Sequence, residues 1–145
     1  MPILRMDGET LVYLDTSGVL AFLNADDESH DSAVKAWRRV VDAKRSFVMT
    51  DYVRLECWSL VQRRLWIEAV SDFSRHILPL CQIEVVGESG FDLLSRQVML
   101  SRRRKLSLVD LSSFECMRRL KLDRALAFDK HFEEQGFITP AAPDW

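Results

Sequence analysis

Short apolar runs separated by longer amphipathic stretches set the rhythm of this chain. The runs are Leu11–Leu14, Phe47–Thr50, Ile83–Val86, Ala125–Phe128 and Phe137–Thr139. Most are continuously apolar and do not alternate, the pattern of strands buried on both faces, as in a parallel sheet. Between them, apolar positions recur at helical spacing. Residues 29–45 place Ala33, Ala36, Trp37, Val40 and Val41 on one stripe, with Arg38, Arg39 and Lys44 outside it. Residues 51–65 give Val53, Cys57, Leu60 and Val61, and residues 66–79 give Trp66, Val70, Phe73 and Ile77 before stopping at Pro79. Residues 91–100 give Phe91, Leu94 and Val98. A further helix opens near Asp110 with Leu111, Phe114 and Met117, and a last short one opens near Asp129 and ends at Gly136. Strands alternating with helices predict βαβ units with right-handed crossovers. The expected fold is α/β, a three-layer α/β/α sandwich around a central, mostly parallel five-stranded sheet. No repeat, linker or low-complexity tract interrupts residues 1–145, so one domain is expected.

Composition narrows the classes. The chain is 48% hydrophobic and 29% charged, a globular balance. No apolar run approaches the roughly 20 residues of a membrane span, and the opening "MPILRMDGET" has no leader-like apolar core. A cytoplasmic location is the expectation. Cys57, Cys81 and Cys116 form no paired spacing, which argues against a disulfide framework or a thiolate zinc site. His30, His76 and His131 form no ligand pair at helical spacing and read as ordinary surface or half-buried histidines. A formal net charge of −2 excludes a globally basic nucleic-acid binder, yet "RRRK" at Arg102 to Lys105 is a dense local cationic run.

In an open parallel sheet, ligands bind outside the carboxyl ends of the strands. Asp15 follows the first strand directly and precedes "TSGVLAFL"; it can be a helix N-cap, a functional acid, or both. Asp129 repeats the arrangement after "RALAF", and Asp110 precedes "LSSFECM". Each has N-capping as its competing reading. Glu56 does not, because it lies inside a helix. Its neighbours one turn away, Tyr52, Val53, Ser59 and Leu60, include no base. A carboxylate tilted toward a core costs several kcal/mol unless a cation meets it. Four acids converging at one sheet edge repel one another, and divalent cations relieve that. Oxygen-only ligation favours Mg²⁺ or Mn²⁺ over zinc and suits phosphoryl chemistry. Asp26, Asp27, Glu28, Asp72, Asp123, Glu133 and Glu134 read as solvated.

Three stretches carry a resemblance: "VYLDTSGVLAFLN", "MTDYVRLECWSLVQRR" and "LSLVDLSSFECMRRLKLDRALAFDKHF". Together they resemble the PIN domain family, and most closely the VapC-type toxins of toxin–antitoxin pairs. Residues 65–100 carry little of this signal beyond their helices. The resemblance implies a metal-dependent endoribonuclease. It implies that Asp15, Asp110 and Asp129 hold Mg²⁺ or Mn²⁺, directly or through waters, and that Glu56 completes the set and orients or deprotonates the attacking water. Thr16 matches the small hydroxyl residue that follows the family's first acid, and Ser112 and Ser113 fall where small or polar residues line the pocket. Thr16, Arg102, Arg103 and Arg104 are candidate substrate contacts, the arginines competing with a role as solvated helix-end cations. A cognate antitoxin, a homodimer and an RNA substrate follow from the resemblance too. The rival readings are a catalytically silent PIN-like RNA-binding or scaffold protein, and a haloacid-dehalogenase-type phosphatase. The phosphatase signature needs a second acid two residues after the first, and Ser17 stands there.

Overall fold

The computed structural model describes residues 10–145; nearly all of the opening decapeptide, in which no leader is read, lies outside the described residues. Among the described residues four strands form one parallel sheet in the order β3-β2-β1-β4: β1 Leu11–Leu14, β2 Ser46–Thr50, β3 Cys81–Glu84 and β4 Ala125–Leu126. Val12 pairs with Phe47, Tyr13 with Ala125, and Met49 with Ile83. Successive strand side chains point to opposite faces. In β1 all four are at most 2% exposed, so helices cover both sides of the sheet, as the apolar runs require.

Among the described residues, seven α-helices connect and cover the strands: α1 Thr16–Leu23, α2 His30–Asp42, α3 Asp51–Arg64, α4 Ile67–Asp72, α5 Gly87–Ser101, α6 Leu108–Arg119 and α7 His131–Glu134. A π turn at Phe73–Ile77 and a 3-10 turn at Leu78–Leu80 lead from α4 into β3. Trp37 on α2 stacks on Phe22 with ring centroids 4.2 Å apart and packs on Phe47 at 4.4 Å. Behind β4, Phe114, Phe132 and Phe137 form a second aromatic group.

The sheet has four strands where five were expected. The stretch Phe137–Thr139 supplies only a bridge, Ile138 opposite Arg124. Ile138 still receives the Ala125 N–H and donates to Asp123, so it lies against the edge, but Pro140 follows and brings no N–H to extend a ladder. β4 is shorter than the apolar run because the Phe128 N–H goes to the Ser17 hydroxyl at 2.9 Å. β3 is shifted two residues toward the N-terminus: Val86 is the N-cap of the helix that follows and donates its N–H to Asp51 at 2.9 Å. Several stripe positions also face solvent. Val41, Trp66 and Phe91 are exposed, and Leu94 is the buried member of its group.

Gly18 sets the distance between α1 and β4. A Cβ there would overlap the Leu126 carbonyl oxygen and its side chain. That same carbonyl accepts the Asp15 N–H at 3.2 Å. Glycine therefore lets the first turn of α1 lie directly on the strand whose exit carries Asp129.

Candidate active site

Asp15 leaves β1 and caps α1. Its Oδ2 accepts the Ser17 N–H at 3.1 Å and the Ser17 hydroxyl at 2.6 Å. The carboxyl is 6% exposed, and burial pushes its pKa up from 3.8 to about 6. The Ser17 bonds work against that rise, while the nearby charges of Asp110 and Glu56 add to it. Capping and participation in an acidic group are thus both present, with the capping bonds falling on one oxygen.

Asp110 is not the N-cap of its helix. Ser107 caps α6, and Asp110 is the third helical residue of a capping box, each side chain bonding the other's backbone N–H at 3.0 Å. The first turn of α6 is fixed to the sheet from below. The Tyr13 hydroxyl donates to Ser113 at 2.6 Å, and Thr50 and Ser112 share a hydrogen bond of 3.0 Å. Ser112 and Ser113 also donate to the Val109 carbonyl. These buried hydroxyls tie Asp110 to the tips of β1 and β2.

Asp129 follows Phe128, whose N–H is held by Ser17, and its Oδ1 accepts the His131 N–H at 3.0 Å. A carboxylate oxygen of Asp110, one of Asp129 and a ring nitrogen of His131 lie within 4.8 Å of one another, all three residues half-buried. Glu56 is half-buried on α3, and its charge reaches both Asp15 and Cys57. Among the described residues no cation stands within ion-pair distance of Asp15, Glu56, Asp110 or Asp129.

Two acids show what a different outcome looks like. Glu84 also ends a strand and is buried, yet Arg119 lies 3.5 Å from it and Gln82 donates to it at 2.7 Å. Its charge is met by a base, so it stands apart from the unpaired group. Glu134, read from the sequence as solvated, lies 3.1 Å from His131 Nδ1 and 3.5 Å from Arg103.

The candidate substrate contacts divide. Thr16 is 4% exposed, and its hydroxyl accepts from the Cys57 thiol at 3.6 Å, joining α1 to α3 rather than facing solvent. Arg102, Arg103 and Arg104 are exposed after α5, Arg102 in the left-handed region at φ 54°. Arg103 reaches the acidic group indirectly, through Glu134. Two contributors were missed by sequence reasoning, Ser17 and His131. The signal for both was adjacency: each lies two residues after an acid at a strand exit. The donor chemistry fits a divalent cation: the Asp110 and Asp129 carboxylates and an imidazole converge, Asp15 and Glu56 add nearby charge, and among the described residues no lysine or arginine pairs with these four acids.

The family model for the PIN domain matches residues 12–138. The 23S rRNA-specific endonuclease VapC20 of Mycobacterium tuberculosis is 30% identical over 130 residues, covering 88% of this chain and 96% of VapC20. The crystal structure of VapC20, described as a toxin that cleaves the sarcin–ricin loop, superposes with a TM-score of 0.75 at 26% identity over 88% of this chain and 96% of that one.

Proposed function

The chain belongs to the PIN domain family, and we propose that it is a Mg²⁺- or Mn²⁺-dependent endoribonuclease acting as the toxin of a toxin–antitoxin pair. One observation carries this reading: Asp15 is buried, its carboxyl raised to about 6, near acids that no base among the described residues pairs with. Such a group is stable as a charged set only around a cation.

In this reading Asp15, Asp110 and Asp129 hold the metal. A metal bound there would supply water activation and charge neutralisation at the scissile phosphate. Glu56 receives the proton of the attacking water and keeps that water oriented. Ser17 fixes the Asp15 carboxylate and, through Phe128, the strand exit that bears Asp129. The capping box holds Asp110 in register. No serine, cysteine or histidine is required as a covalent nucleophile: Cys57 and Cys116 are buried, and burial pushes both thiols well above the ordinary thiol range.

The activity of the similar VapC20 suggests a ribosomal RNA loop as the substrate class. Arg103 and Arg104, exposed beside α7, would contact its phosphates. Trp58 and Trp66, 40% and 52% exposed, support apolar contact with an antitoxin or a second copy of the chain. Among the described residues no helix is long and apolar enough to cross a membrane.

A scaffold without catalysis is disfavoured by the complete and unpaired acid set. A phosphatase using Asp15 as nucleophile is disfavoured because Ser17 clamps that carboxylate and supplies no second acid. The test is cleavage of a ribosomal RNA fragment by the purified chain. Activity should be lost in EDTA, be restored by Mn²⁺ or Mg²⁺, and be absent in Asp15→Asn. Undiminished cleavage in EDTA, or by Asp15→Asn, overturns the reading.

A further inference from the structure

His131 stands where an oxygen-only site should have no nitrogen. Its side chain is 12% exposed, although it opens a four-residue helix near the surface. A ring nitrogen lies within 4.8 Å of carboxylate oxygens from both Asp110 and Asp129. Nδ1 is already committed. Nδ1 sits 3.1 Å from Glu134 Oε2, and Arg103 holds that same oxygen from 3.5 Å. An imidazole that donates from Nδ1 to a carboxylate keeps its lone pair on Nε2. A carboxylate that fixes the tautomer in this way is the usual companion of a metal-bound histidine. A simple surface pair with Glu134 would explain the 3.1 Å contact, but not a largely buried ring with a nitrogen within 4.8 Å of two carboxylates.

We propose that His131 is a nitrogen ligand of the metal held by Asp110 and Asp129, with Glu134 and Arg103 as its positioning residues, and that it biases the site toward Mn²⁺ over Mg²⁺. This rests on the metal-dependent reading above and adds a donor to it. The physical basis is ligand preference. Mg²⁺ favours oxygen donors and dehydrates reluctantly, whereas imidazole binds first-row transition ions well. Removing the ring should therefore weaken Mn²⁺ binding much more than Mg²⁺ binding. The Asp129 carboxylate accepts the backbone N–H of His131, which any substitution except proline retains. The imidazole can thus be removed while the Asx turn stays.

The experiment is metal binding by the whole chain without RNA. Free Mn²⁺ is followed by electron paramagnetic resonance, Mg²⁺ is titrated in competition, and electron spin-echo modulation reads directly coordinated ¹⁴N. The wild type should show one histidine ¹⁴N coupling. His131→Gln should lose it and raise the Mn²⁺ Kd about tenfold or more, the range for losing a ligand or its support, with the Mg²⁺ Kd within about twofold. Glu134→Gln should retain the coupling and weaken Mn²⁺ to a smaller extent. Mn²⁺ that binds, depends on Asp110 and gives no ¹⁴N coupling overturns the role of His131 and leaves the metal reading standing. Mn²⁺ binding that is absent, or indifferent to Asp110→Asn, overturns both. The wild-type spectrum needs no variant to fold, so the ligand assignment is decided even if His131→Gln is unstable.

Discussion

The Ser17 hydroxyl lies 2.6 Å from Asp15 Oδ2 and receives the Phe128 N–H at 2.9 Å. One small side chain thus holds the acid at the end of β1 to the backbone leaving β4. It donates to a carboxylate and accepts from an amide, so both its hydrogen-bonding roles are used. Ser17→Ala removes both bonds and leaves the Phe128 N–H short of a partner. The expected loss of stability is about 1–3 kcal/mol, measured by urea denaturation. Because the Ser17 bonds hold the Asp15 pKa down, the variant's acidic limb of cleavage should move to higher pH. An unchanged pH profile would show that the Ser17 bonds do not set the Asp15 titration.

Much of this arrangement was legible in the sequence, for physical reasons that particular residues show. Asp15, Glu56, Asp110 and Asp129 could be singled out because strand tips and an unpaired helix acid are local features. The parallel sheet could be read from strands apolar on both faces. What was not legible depended on partners distant in sequence. Glu84 fell inside the expected strand Ile83–Val86 and was not singled out, and its base, Arg119, comes from α6. Capping could not be assigned from residue type, since Ser107 and Asp110 are both good cap residues and differ only in which N–H they face. The fifth strand failed because its apolar run met the sheet edge at one position, Ile138. His131 was invisible as a ligand because its companions come from α6 and the β4 exit, not from a second histidine one turn away.

Asp15→Asn should stabilise the metal-free protein while abolishing cleavage. In EDTA, the folded chain keeps its Asp15 proton up to about pH 6, whereas the unfolded chain releases it near 3.8. Between those values the folded state binds more protons. The stability from this group is therefore fully present below 3.8 and is lost as pH rises to about 6, on the order of 3 kcal/mol in all. Asparagine also serves as an N-cap, so α1 keeps its start. Urea midpoints in EDTA should favour the variant at pH 7 and converge with wild type near pH 4. Saturating Mn²⁺ should reverse the order at pH 7, since only the wild type retains the full site. A variant less stable than wild type in EDTA at pH 7 would contradict the burial argument.

Gly18→Ala should loosen the same junction from its other side. The added methyl group meets the Leu126 carbonyl oxygen, which is backbone and cannot rotate away. Either α1 or β4 must move, and the Asp15 N–H bond to that oxygen lengthens. Overpacking of this kind costs about 1–3 kcal/mol. Cleavage should fall as well, because β4 delivers Asp129. Thermal denaturation and initial cleavage rates check both parts, and a neutral substitution on both counts would show that the approach is slack.

The basic run after α5 can be tested through salt rather than rate. Each phosphate contact with single-stranded nucleic acid contributes about 0.7 to the slope of log affinity against log salt. Arg104 is exposed, with no ion-pair partner among the described residues, so Arg104→Gln should remove one such increment and leave metal affinity untouched. Arg103 is divided between Glu134 and solvent. Arg103→Gln should reduce the slope and, in addition, weaken Mn²⁺ binding by freeing Glu134 and with it His131. RNA affinity measured in an Asp15→Asn background, which binds without cutting, isolates the first effect. If neither substitution changes the slope, the run is a solvated helix end, and the RNA backbone approaches the acidic group from another side.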